Sequence, residues 1–143
     1  RYGVPATPDK STRAIADWSR ERGVADLVID NGSGLSRTAR ISALDMATLL
    51  RAAYHSRWAP EFIASLPLAG IDGTLKSRMQ NTAAGSVRLK TGHLDGVTAV
   101  AGYVTGATGK AYVLVSFIND TRNAYGAGDL VHGALVDWIQ AAL

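Results

Sequence analysis

At 143 residues the chain has the size of one ordinary domain, and 47% apolar against 19% charged residues excludes a disordered polypeptide. Zero cysteines exclude a disulfide scaffold and a thiolate metal site, leaving the cytoplasm and an oxidising periplasm equally open. The net charge of +3 comes from scattered Lys and Arg, which excludes a nucleic-acid stripe, and no apolar run reaches the roughly 18 residues of a membrane-crossing helix.

The chain opens on Arg1 without an initiator methionine, so polypeptide ahead of it is read as missing or removed. Thr7 followed by Pro8 is an N-cap and first-turn pair. It predicts a helix over about 8–22, with Ala14, Ile15 and Trp18 on one face and Gly23 as its stop. "DLVID" (26–30) reads as a short strand entering the turn "NGSG". In that turn Asp30, Asn31 and Ser33 are suited to bonding the backbone, and Gly32 and Gly34 permit positive φ. Ser33 is not read as a nucleophile, because Asn31 and Leu35 stand where G-x-S-x-G needs glycine.

Ser42 with Asp45 resembles a capping box opening a helix to about Ser56, with Leu44, Ala47, Leu50 and Tyr54 inward; Pro60 starts a shorter one. From residue 86 the period becomes strand-like: "SVRLKT", "VTAVAGYVT" and "KAYVLVSFIN", separated by "GHLDG" and "GATG", predict an antiparallel meander. The second and third runs are apolar at nearly every position, so both sheet faces should be covered by helices. One of these is predicted over about 126–142, packing Leu130, Ala134, Leu135 and Trp138. The class is α+β, an antiparallel sheet with packed helices. Trp18, Tyr54, Trp58 and Trp138 fall at spacings suited to packing, Asp72 in "GIDGTL" reads as a turn residue, and His55 and His132 lack metal-ligand spacing to carboxylates, so neither a metal nor an organic cofactor is expected.

Chemistry is suggested by "KTG" at 90–92, placed where the first strand ends. A strand edge offers donors and acceptors to an extended peptide. Lys90 would add a positive charge, Thr91 a hydroxyl for a carboxylate, and Gly92 the absence of a side chain in the way of an approaching backbone. Three ordered segments, "DNGSGLSRTARIS" (30–42), "LPLAGIDGTLKSR" (66–78) and "LKTGHLDGVTAVAGYV" (89–104), resemble the D-alanyl-D-alanine carboxypeptidase/endopeptidase family. These are class C low-molecular-mass penicillin-binding proteins, the S13 serine peptidases typified by penicillin-binding protein 4, and the resemblance runs over essentially the whole chain.

The resemblance implies that residues 1–143 are a single partial domain, the C-terminal portion of a serine β-lactamase/penicillin-binding-protein transpeptidase-like fold. It implies a periplasmic enzyme that acylates a serine with a peptidoglycan stem peptide or a β-lactam. It assigns Lys90 to catalysis and Thr91, Gly92, His93, Leu94, Leu35 and Arg37 to substrate binding. The family often carries a small hydroxyl residue where His93 stands, so His93 is either an altered, titratable contact or a solvent-facing loop residue. Arg37 either meets an acidic stem group or holds its own loop through carbonyls. No serine here has lysine at i+3 or asparagine at i+2, so the S-x-x-K nucleophile and the S-x-N motif are expected on a preceding, missing N-terminal part of the same protein. A self-standing, non-catalytic module binding a peptide or cell-wall ligand is the alternative, and a β-lactamase, which shares K-T-G but not the other two segments, is third.

Overall fold

The computed structural model describes residues 2–77, 79, 85–121 and 126–143; Arg1 and Arg78, both noted above, lie outside them. The chain forms two compact units, Arg1–Ala52 and Ala53–Leu143.

In the first unit, α1 (Pro8–Arg20) starts as expected: the Thr7 hydroxyl accepts from the Lys10 amide at 3.3 Å, and Pro8 occupies the first turn, where its missing N–H costs nothing. Gly23, at φ +83°, follows its end. The expected packing of Trp18 is corrected, since it is 46% exposed and the Arg22 guanidinium lies 3.8 Å from its ring centre. "DLVID" is not a strand: Val28 and Arg40 form one antiparallel bridge, and the facing segment is diverted into turns by its own serine. The Ser36 hydroxyl accepts from the amides of Thr38 and Ala39 and donates to Asp30 at 2.7 Å, so the ladder cannot extend. α2 (Ala43–Tyr54) has Ser42 accepting from the Asp45 amide at 3.0 Å, as the capping box required. Leu50 is buried, whereas Leu44 points outward at 77% exposure.

In the second unit, α3 (Ala59–Ala64) follows Trp58, and a 3-10 turn spans Gly73–Leu75. Strands β1 (Val87–Leu94), β2 (Val97–Thr105) and β3 (Ala111–Asn119) form the predicted antiparallel meander in the order β1-β2-β3. β1 runs three residues beyond its expected end at Thr91, because Asp95-Gly96 closes a two-residue hairpin with Leu94 opposite Val97 and φ +73° at Gly96. α4 (Ala127–Ala142) packs against β2. Val136 and Ile139 join Leu75, Val87, Leu89, Val100, Val104 and Leu114 in the core.

Three packing expectations are corrected here. The buried stripe of α4 is Gly128, His132, Val136 and Ile139, while Leu130 and Trp138 are 78% and 59% exposed. Gly128 sets this rotation: a Cβ there would lie 2.8 Å from Thr98, so only glycine lets the helix seat on that side. Nor are both sheet faces sealed. On the face away from α4 the Tyr54 and Phe62 rings reach Tyr103, with centroids 5.5 and 6.5 Å away, but Val113, Val115 and Phe117 are only half-buried. Tyr54 and Trp58, expected to pack, are 41% and 59% exposed. Burial, with Tyr54 adding, pushes the Tyr103 phenol from 10.0 up to about 12.

Candidate active site

The K-T-G residues lie within β1, an outer strand of the sheet, and not at its end. Register explains which groups face outward. Successive residues of a strand turn their backbone groups alternately to the two sides. The Val87 carbonyl accepts from the Ala69 amide at 3.0 Å, and the Leu89 amide donates to the Pro67 carbonyl at 3.1 Å. The 67–69 segment therefore covers the outer edge over residues 87–89, and the same alternation turns the backbone of Thr91 and His93 to that side. Val87 and Leu89 are fully buried, which anchors the strand immediately before Lys90.

Lys90 is exposed, and its ammonium donates to the Thr91 carbonyl at 2.6 Å, which brings the charge round to the outer edge. The hydroxyls of Thr91 and Thr74 are 2.7 Å apart. Thr74 sits in the 3-10 turn, which is held beside β1 by Asp72: its carboxylate accepts from the Leu68 amide at 2.6 Å, bearing out the structural reading of Asp72. Thr74 was not singled out in the sequence, although "GIDGTL" was; a bond spanning 17 residues has no local signature. At Gly92 the backbone is ordinary strand, and an added Cβ would meet Ala99 at 3.5 Å, an ordinary contact. Packing within the chain does not require glycine there. Gly102 on β2 is the opposite case, because at φ +154° its Cβ would overlap the Arg88 carbonyl and lie 3.0 Å from Leu89 Cα.

His93 is exposed next to Leu94, and both border a shallow cleft with Asp95, Thr98 and Thr121. Leu35 and Arg37 belong to the first unit, in the glycine turn. There the Asn31 side chain accepts from the Ser33 amide at 2.9 Å and the Ser33 hydroxyl from the Leu35 amide at 3.1 Å, as the turn reading of Asn31 and Ser33 required. Leu35 is 74% exposed. The Arg40 guanidinium braces this loop, donating to the carbonyls of Arg37 and Ala39 at 2.7 and 2.8 Å. Among the described residues no group of three or more His, Asp or Glu side chains is placed to hold a metal, and no helix is long and apolar enough to cross a membrane.

The chain is similar to known proteins in sequence and in fold. The chain is 46% identical over 92 residues to a D-alanyl-D-alanine carboxypeptidase of Actinomadura sp. (strain R39), covering 60% of this chain and 17% of that protein. It is 31% identical over 134 residues to the D-alanyl-D-alanine carboxypeptidase DacB of Haemophilus influenzae, covering 90% of this chain and 27% of that protein. The crystal structure of penicillin binding protein 4 (dacB) from H. influenzae, complexed with a novel β-lactam, superposes with a TM-score of 0.81 at 27% identity, over 95% of this chain and 34% of that one. The Bd0816 predatory endopeptidase of Bdellovibrio bacteriovorus, at 20% identity and a TM-score of 0.73, shares the fold over 90% of this chain and 36% of its own. The chain thus spans less than a third of these curated relatives. The family described as D-Ala-D-Ala carboxypeptidase 3 (S13) matches residues 1–141, and the chain belongs to that family.

Proposed function

We propose that this chain is part of the penicillin-binding domain of a serine D-Ala-D-Ala carboxypeptidase/endopeptidase, and that it supplies the K-T-G wall of the cleft. The observation that carries this is a lysine, a threonine hydroxyl and an uncrowded glycine placed together on the outer edge of a sheet whose preceding residues are locked in the core. In the proposed reaction a stem peptide adds along β1 as an extra strand. The Thr91 hydroxyl and the Lys90 ammonium hold its terminal carboxylate. A serine then attacks the D-Ala-D-Ala carbonyl, the terminal D-alanine departs with the proton, and water hydrolyses the resulting ester. Leu35 and Arg37 serve the peptide side of the ligand, and His93 and Leu94 continue its pairing edge.

The serine and its lysine are assigned to the remainder of the polypeptide, in the S-x-x-K motif, together with S-x-N. Two observations support that division. Ser33 and Ser36 are both committed to turn hydrogen bonds. The outward face of α4 and the half-buried face of β3 also leave apolar surface of the kind that further polypeptide covers in a complete domain. On this reading the chain alone is inactive, residues 1–143 form a single partial domain, and the enzyme works in the periplasm. The test is intact-mass spectrometry after incubation with a penicillin. One covalent adduct on the full-length polypeptide, none on this chain alone, and acylation at least about tenfold slower in Lys90→Ala are expected. An adduct on this chain alone, or wild-type acylation of Lys90→Ala, would overturn the assignment.

A further inference from the structure

We propose that Thr74 is a positioning residue for the reaction: its hydroxyl donates to the Thr91 oxygen and so commits the Thr91 proton to the ligand carboxylate. This rests on the function proposed above, which puts that carboxylate at Thr91.

The two hydroxyl oxygens are 2.7 Å apart, the ordinary length of an O–H···O bond, and among the described residues neither makes another hydrogen bond. A hydroxyl has one proton to give and two lone pairs to receive with, whereas an ionised carboxylate only accepts. With ligand bound, the Thr91 proton therefore points at the carboxylate, which leaves Thr91 as acceptor within the pair and Thr74 as its donor. The opposite sense would aim the Thr91 lone pairs at an anion. A hydroxyl that accepts one bond also donates a stronger one, because successive dipoles polarise each other. The chain fixes Thr74 from both sides. Gly73 before it is seated on Pro67, where an added Cβ would lie 3.0 Å from the proline ring, and Leu75 after it is fully buried and accepts from the Gly70 amide at 3.0 Å. Asp72 closes the turn on the Leu68 amide, and residues 67–69 are bonded to Val87 and Leu89 of β1. Thr74 itself is exposed, so water can replace its bond at little cost to the fold; what the rigid mount secures is the direction of one proton.

The experiment follows acylation of the full-length polypeptide by benzylpenicillin over a range of concentrations, read by intact mass. Wild type, Thr74→Val, Thr74→Ser, Thr91→Val and the double variant Thr74→Val/Thr91→Val are compared. Thr74→Val keeps the shape of the side chain and loses the hydroxyl, so the half-saturating penicillin concentration rises about two- to tenfold, the worth of one hydrogen bond, while the limiting acylation rate falls less. Thr74→Ser, which keeps the hydroxyl, restores the wild-type concentration. In the Thr91→Val background the second-order rate loses nothing further on adding Thr74→Val, because Thr74 acts through Thr91. An unchanged half-saturating concentration in Thr74→Val, a rise that Thr74→Ser does not reverse, or the same loss with and without the Thr91 hydroxyl overturns the positioning role and leaves the functional reading standing. Wild type that is not acylated overturns the functional reading, and the role of Thr74 with it.

Discussion

Two glycines, one on each side of the β1–β2 ladder, should respond oppositely to the same added methyl group. At Gly92 the new Cβ meets Ala99 at 3.5 Å in ordinary strand backbone, so Gly92→Ala leaves stability unchanged or raises it by about 0.5–1 kcal/mol through the more restricted unfolded chain. If the outer edge seats a substrate backbone, the same methyl displaces it by about 1 Å, a misplacement that costs on the order of 100-fold in rate. At Gly102 the Cβ overlaps the Arg88 carbonyl and approaches Leu89 Cα at 3.0 Å, in a φ +154° conformation that L residues avoid. Backbone strain of about 1–3 kcal/mol and crowding of about 1–3 kcal/mol then combine to about 2–6 kcal/mol, enough to unfold a marginal domain. The assay pairs guanidinium unfolding of the full-length polypeptide with its rate of acylation by a penicillin, read by intact mass. Gly92→Ala acylated at the wild-type rate would refute the idea that ligand lies against this edge, and Gly102→Ala as stable as wild type would refute the packing argument.

Thr74→Val removes the hydroxyl bonded to Thr91 at the surface, so the unfolding midpoint should move by less than about 1 kcal/mol while the penicillin concentration giving half-maximal acylation rate rises severalfold; an unchanged value would show that the pair does not orient the Thr91 hydroxyl. Tyr103 holds its proton more tightly folded than unfolded, with a folded value of about 12 against 10.0. Its contribution is therefore fully present below about pH 10 and is lost as the pH rises from there through about 12. Tyrosinate absorbance should show an ionisation near pH 12 that is absent from Tyr103→Phe, and that variant should flatten the fall in stability over the alkaline window; an identical alkaline limb in both proteins would refute it.

The sequence by itself determined the features that close within a few residues: the Thr7 and Ser42 caps, the Asn31 turn and the meander, each built from bonds between near neighbours. It also carried family membership, because three ordered segments retain their order and spacing whatever the packing. Tertiary structure decided the rest. Helical spacing alone could not say which stripe of α4 faces the sheet, since two apolar stripes compete, and the contact of Gly128 with Thr98 chose the one without Leu130 and Trp138. The aromatics at packing distances along the chain proved half-exposed for the same reason: periodicity reports which residues share a face, not whether anything covers it. "DLVID" had a strand's composition but no partner able to continue the ladder, and β1 outran its expected end because the hairpin register extends pairing to Leu94. The Thr74–Thr91 pair, 17 residues apart, was out of reach of any local pattern, because it exists only once the 67–69 segment has zipped onto β1 and brought the 3-10 turn beside the K-T-G edge.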